Sequence, residues 1–238
     1  VFHELGAEVV SVGVTPNGLN INDGVGATAP DSLHRAVLEH HADIGIALDG
    51  DADRLLMADV NGNIYDGDQL LYVIARQMPE ITGVVGTLMS NLGLEHALGR
   101  LNIPFTRASV GDRYVLESML ERGWPLGGEN SGHIICLDKH TTGDGIVAAL
   151  QVLAALRRQR LTLDVACADL VMYPQKLINV RMQAGFDWRT DAQICAAKVA
   201  AEKALAGRGR VLLRPSGTEP LLRVMVEGED GAEVTRWA

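Results

Sequence analysis

The stretch Ile44-Gly45-Ile46-Ala47-Leu48-Asp49-Gly50-Asp51-Ala52-Asp53-Arg54 decides how this chain is read. Ile44 to Leu48 is an apolar run of strand length that passes directly into a loop with a carboxylate at every second position. Carboxylates at i, i+2 and i+4 share one side if the chain stays extended. Three negative charges so close repel unless a cation neutralises them. Mg²⁺ suits them, being a hard ion that prefers oxygen and octahedral geometry, with positions left for water or a phosphate oxygen. Arg54 adds a fixed positive fork suited to a phosphate. A polar turn capped by Asp side chains is the plainer alternative. A calcium loop is disfavoured, because the twelve-residue pattern with a terminal Glu is absent.

Reading outward, Ala7 to Val14 is a Val-rich strand candidate, and residues 15–30 form a loop rich in Gly, Asn and Pro. Leu33, Ala36, Val37 and His40 then recur at helical spacing. Downstream, Leu55–Val60 and Asn63–Tyr65 flank Asn61-Gly62, a hairpin signal. A second block predicts helices at 69–77, after Asn91, after Asp112 and at 145–158, with strands near 84–85, 103–108 and 134–137. Asp112 is expected to cap its helix, with Val115, Leu116, Met119 and Leu120 inward and Gly123 as the stop. A third block predicts strands at 176–182, 210–214 and 221–227 and a helix at 190–205. Strands and helices alternate throughout, so the fold class is α/β. Residues 1–5 read as the end of a helix and 232–238 as one barely begun, so both ends read as cut.

With 238 residues, 47% hydrophobic and 21% charged, the chain has an ordinary globular composition. Its net charge of −9 argues against nucleic acid, which needs a basic stripe. Local arginines can still serve a small anion. Cys136, Cys167 and Cys195 lie far apart without metal-ligand spacing, consistent with a reducing, cytoplasmic compartment. No apolar run approaches the roughly 20 residues of a membrane helix.

Further runs carry candidate chemistry. Arg214-Pro215-Ser216-Gly217-Thr218-Glu219-Pro220, followed by Arg223, offers hydroxyls, a glycine N–H and flanking arginines as an anion cradle. A simple turn is the alternative there. In Gly127-Gly128-Glu129-Asn130-Ser131-Gly132-His133, Glu129 and Ser131 can meet sugar hydroxyls, with Asn130 between them. His133 reads either as a group for proton transfer or phosphate contact, or as a satisfied core histidine. Asp112 and Thr141-Thr142-Gly143-Asp144-Gly145 read most simply as helix starts. Arg113 reads as a ligand contact or a surface residue.

Taken together, DGDADR, GENSGH and RPSGTEP in this order resemble the α-D-phosphohexomutase superfamily. NINDGVGAT, DGDQLLY, GTLMSNLGLE, VGDRYVLE, KHTTGDGIVA, GRGRVLLR and EPLLRVMVEGED are similar, within it, to the bacterial phosphoglucosamine mutase branch. Asn130 fits that branch better than the phosphomannomutase/phosphoglucomutase branch, where Met is usual. The resemblance implies consecutive α/β domains with mixed sheets and a smaller α+β C-terminal phosphate-binding domain, with divisions at 1–64, 65–173 and 174–238. It implies Mg²⁺ on Asp49, Asp51 and Asp53, with Arg54 and His133 in catalytic roles. Sugar and phosphate would meet Arg113, Glu129, Asn130, Ser131, Arg214, Ser216, Gly217, Thr218 and Arg223. The implied reaction interconverts glucosamine 6-phosphate and glucosamine 1-phosphate through a phosphoserine and a 1,6-bisphosphate, on the route to UDP-N-acetylglucosamine.

The family's Ser-His-Asn-Pro motif is absent, so the chain by itself is expected to be inactive and to hold magnesium and ligand weakly. The partner is a small phosphosugar, without nucleic acid or membrane, and a homodimer is compatible with the reading. Phosphomannomutase/phosphoglucomutase activity, a non-catalytic phosphosugar-binding module and a phosphatase using Asp49 are the alternatives. Ala52 stands where the branch usually has Gly, with little effect expected. Pro215 stands where Lys is frequent, which removes one positive charge.

Overall fold

Helices and strands form largely where the periodicities place them. In the computed structural model, residues 1–183, 186–216 and 219–238 are described. They divide into two compact units, one of Val1–Ser90 with Ala97–Leu170, the other of Asn91–His96 with Val171–Ala238. The expected boundary at 64/65 falls inside the first unit.

The first unit holds two sheets. One is antiparallel, in the order β1 (Gly45–Leu48), β2 (Leu55–Ala58), β3 (Ile64–Tyr65). Helix α1 (Pro30–His40) covers it, burying Leu33 and Val37 against Ala47, Leu56 and Ala58. The turn from β2 to β3 is organised by buried Asp59, which accepts from the N–H groups of Asn61 and Asn63, the Asn63 amide and the Tyr65 hydroxyl. Burial alone would push the Asp59 carboxyl up, but these bonds outweigh it and hold it below the usual range.

Helix α2 (Gly67–Ala75) carries buried residues on nearly every side and packs on β2, as expected of an apolar helix inside a core. Asp66 caps it in a capping box with Gln69. Next come β4 (Val84–Thr87), α3 (Leu92–Arg100), β5 (Phe105–Ala108), α4 (Asp112–Arg122), β6 (Leu126–Gly128), β7 (Ile134–Cys136), α5 (Gly145–Gln159) and α6 (Leu163–Cys167). The second sheet is mixed, in the order β5-β4-β6-β7, with β4 parallel to β5 and β6, and β6 antiparallel to β7. Val115 and Met119 of α4 pack on its Val85 and Ile135. Burial pushes the Cys136 and Cys167 thiols up to about 12, so both are inert packing groups.

The second unit is a three-stranded antiparallel sheet in the order β8 (Gln175–Arg181), β10 (Leu221–Gly228), β9 (Gly209–Pro215), with α7 (Ala192–Leu205) and α8 (Gly231–Trp237). Leu205, Val226 and Val234 form its core. Arg223, Met225 and Glu227 alternate on the other face of β10. Glu227 is fully buried and accepts from Arg210 Nε at 2.5 Å, Gln175 Nε2 at 2.7 Å and the Leu92 N–H at 2.9 Å.

Three expectations need correction. Residues 7–14 form no strand, because a strand needs a hydrogen-bonding partner and none of the described strands pairs with them. Instead, Val10 and Val12 line a cavity of ≈ 920 Å³ with Val25, Ile44, Ile46 and Leu48, beside the edge of β1 that β2 leaves unpaired. Leu120 faces outward at 64% exposure. Asp112 is the first residue of α4 rather than its cap, which is Gly111.

Replacing Asp59 by Ala leaves several inward donors unsatisfied and is expected to cost roughly 2–3 kcal/mol in urea unfolding. Because the folded Asp59 carboxyl titrates below its unfolded value of about 3.9, its contribution is full above that pH and lost as pH falls through the folded value. The stability gap between wild type and Asp59→Ala should therefore narrow in acid, read from urea midpoints across pH.

Candidate functional site

Strand register builds the acidic loop. Leu48 pairs with Leu55, so residues 49–54 close a six-residue connection between β1 and β2. The loop is not extended. The Ala52 N–H donates to the Asp49 carbonyl at 3.1 Å, and Ala52 takes φ +60, in the left-handed region. The turn gathers the carboxylates: one oxygen each from Asp49, Asp51 and Asp53 lies within 4.8 Å of the others. At that spacing and an effective dielectric near 20, each like-charged pair costs roughly 3 kcal/mol, less for exposed Asp51. An all-oxygen set of this kind fits a hard divalent cation.

Two of the three carboxylates are held. Asp49 Oδ1 accepts the Arg54 N–H at 3.1 Å, and its Oδ2 lies 3.7 Å from Arg54 Nε. Asp53 Oδ2 accepts from His133 Nδ1 at 2.9 Å. The loop is also tied by its backbone. Gly145 at the start of α5 donates its N–H to the Ala52 carbonyl at 2.8 Å, and the Leu55 N–H donates to Gly132 at 3.0 Å. Asp144 caps α5 by accepting from Ile146 and Val147.

The loop of residues 129–133 joins β6 to β7. The Glu129 N–H donates to the His133 carbonyl at 2.9 Å, and the Asn130 carbonyl accepts from Gly67 at 3.1 Å. Gly132 has φ +96, and a Cβ there would overlap the Leu55 backbone, so the two loops meet main chain to main chain. Glu129 Oε1 accepts the Gly111 N–H at 3.0 Å. Ser131 is exposed and Asn130 half-buried. Arg113 is turned to the surface, where its Nε meets Glu117 at 2.8 Å and raises the already high guanidinium pKa. The described contacts bring Gly111, not Arg113, to Glu129.

In the second unit, Arg214 and Arg223 face each other in register across β9 and β10. Arg214 Nε, Arg223 Nε and Ser216 Oγ are buried without a hydrogen-bond partner among the described residues. Burial, then the nearby Arg223 charge, lowers the Arg214 pKa. Two adjacent guanidinium groups with unsatisfied donors are chemically suited to an anion such as phosphate. Gly217 and Thr218 lie outside the described residues.

Residues 141–145, a simple helix start by sequence, also pack against both loops. The structure places Gly143 against the His133 ring and Gly145 under the acidic loop. Glycines at 143 and 145 around an Asp cap were the available signal.

The first unit thus carries an acidic loop chemically suited to a cation, and the second an arginine pair chemically suited to an anion. The chain belongs to the phosphoglucomutase/phosphomannomutase family: residues 66–173 match its alpha/beta/alpha domain III and residues 177–238 its C-terminal domain. It is 70% identical to phosphoglucosamine mutase of Azoarcus sp. (strain BH72) over 97% of this chain and 52% of that protein. It is 67% identical to that of Dechloromonas aromatica (strain RCB), over 99% of this chain and 53% of that protein. The chain thus spans about half the length of these relatives. Two solved structures share the fold. Aspergillus fumigatus N-acetylphosphoglucosamine mutase in complex with GlcNAc-6P and magnesium aligns with TM-score 0.72 and 22% identity over 91% of this chain and 52% of that one. A Burkholderia thailandensis phosphoglucomutase/phosphomannomutase family protein aligns with TM-score 0.76 and 20% identity over 99% of this chain and 54% of that one.

Ala52 is not neutral in this loop. A left-handed Ala costs roughly 1–2 kcal/mol relative to its preferred conformations, partly offset by the backbone freedom a Gly adds to the unfolded chain. Ala52→Gly is expected to raise stability by about 0.5–1 kcal/mol, read from the midpoint of chemical unfolding.

Proposed function

We propose that this chain holds the cation, sugar and phosphate sites of a phosphoglucosamine mutase, which interconverts glucosamine 6-phosphate and glucosamine 1-phosphate through a 1,6-bisphosphate. One observation carries the reading: an acidic loop backed by Arg54 in one unit accompanies, in the other, two half-buried arginines whose buried Nε atoms have no partner among the described residues. Phosphoryl transfer needs both patterns, because its catalysis is mostly positioning and charge neutralisation. The identity to phosphoglucosamine mutases supports the substrate. Asn130 favours the glucosamine sugar over the mannose or glucose of related mutases.

Asp49, Asp51 and Asp53 would hold Mg²⁺, which as a Lewis acid supplies charge stabilisation to a phosphoserine carried outside this chain. Arg54 steadies the same phosphate. Glu129, kept in place by the Gly111 N–H, and Ser131 grip the sugar hydroxyls in either orientation. Arg214, Ser216 and Arg223, with Gly217 and Thr218, hold the phosphate that is not reacting. The three cysteines are unpaired, and no helix among the described residues is long and apolar enough to cross a membrane. Both facts fit a cytoplasmic enzyme.

In the whole enzyme, Asp51→Ala should lower kcat roughly 100-fold or more with little change in KM, since the cation acts on the transition state. Arg214→Ala should raise KM about tenfold or more, as expected when a charge-assisted contact to a non-reacting phosphate is lost. The same substitution should raise the melting temperature, because it removes one of two crowded guanidinium groups. Steady-state kinetics on glucosamine and mannose phosphates provides the test. Unchanged turnover in Asp51→Ala would sink the cation role, and faster turnover of mannose phosphates would reassign the substrate.

A further inference from the structure

We infer that His133 is a positioning residue for the cation loop: its Nδ1–H holds the Asp53 carboxylate where it can face a divalent cation. The inference rests on the reading of Asp49, Asp51 and Asp53 as a cation site.

The Nδ1 to Asp53 Oδ2 distance is 2.9 Å. An ionised carboxylate only accepts, so Nδ1 carries the proton. The other ring nitrogen, Nε2, is buried and has no hydrogen-bond partner among the described residues. It lies against Gly143, where an added Cβ would overlap Nε2, Cε1 and Cδ2 of the ring. The bond to Asp53 therefore selects the Nδ1–H tautomer and leaves Nε2 unprotonated against Gly143. The ring itself sits on rigid backbone. His133 bridges Arg54 in the isolated antiparallel pairing, and its carbonyl accepts from Glu129.

Burial is divided unequally across this contact. The His133 side chain is 6% exposed and that of Asp53 34%. Without the ring, Asp53 could rotate outward to escape the Asp49 and Asp51 charges. With it, one Asp53 oxygen is fixed and the other remains for a ligand. Second-sphere donors of this kind commonly set metal affinity within a factor of about 10–100.

The probe is Mn²⁺, titrated into the whole enzyme and its variants by calorimetry, with thermal melting in parallel. His133→Leu removes the donor, and Gly143→Ala displaces the ring while keeping it. Each should weaken Mn²⁺ binding about 10–100-fold. His133→Asn places an amide N–H near the Nδ1 position and should stay within roughly threefold of wild type. His133→Gln, whose amide reaches toward the Nε2 position, should not. Independently of any metal, ¹⁵N-edited imidazole spectra at a pH of about 8 should show the Nδ1–H tautomer in wild type and its loss in Asp53→Ala. An Nε2–H tautomer in wild type overturns the proposal. So does equal weakening by Asn and Leu at 133, or weakening that merely follows the melting temperature. If Asp51→Ala abolishes Mn²⁺ binding while His133→Leu leaves it intact, this role fails and the cation site stands. If wild type binds no Mn²⁺, or Asp51→Ala binds it as well as wild type, the cation reading fails and the role of His133 falls with it.

Discussion

Like charges held close against their own repulsion govern both parts of this molecule. Three carboxylate oxygens within 4.8 Å of one another occupy the loop after β1, and two arginines face each other in register across β9 and β10. Neither arrangement is favourable by itself. Each persists because other interactions fix its geometry. Asp49 is held by the Arg54 N–H, Asp53 by His133, and the arginines by a ladder that continues into an apolar core. The sites are thus shaped before any ligand arrives, and the ligand's contribution is to relieve a tension already present.

The acidic loop was legible in the sequence because its signals are local. Ile44 to Leu48 gives the strand, Asn61-Gly62 the hairpin turn, and the alternating aspartates the cation chemistry. The reason the carboxylates converge was not legible: they meet through a turn with a left-handed Ala52, not along an extended strand. Ala7 to Val14 shows the limit of local pattern in the other direction. Its valines alternate as a strand requires, yet no described strand pairs with it. Strand propensity is only a fit to a neighbour.

Contacts distant in sequence were the least visible. The glycines of Thr141 to Gly145 hint at close packing but do not name the partners, the His133 ring for Gly143 and the Ala52 carbonyl for Gly145. Glu227 is only the last residue of the strand expected at 221–227, and its sequence neighbours give no sign that it is fully buried and accepts from Arg210, Gln175 and Leu92. The anion cradle was legible as a composition of Arg, Ser, Gly and Thr. Only the strand register shows that Arg214 and Arg223 are direct neighbours, and their Nε groups have no partner among the described residues.

The Leu92 bond to Glu227 has a bearing on how the protein is assembled. Residues 91–96 belong with residues 171–238, although about 75 residues separate the two stretches in the chain. On a ribosome the earlier piece emerges first and must wait for its counterpart. The second unit therefore cannot finish folding in the order of synthesis, and its closure carries the entropy of a long loop. A gene fragment cut cleanly at residue 171 would encode a sheet whose buried Glu227 lacks one of its three donors. The borders of this module in space and in sequence do not coincide, and evolution can shuffle it only together with the helix that supplies the missing N–H.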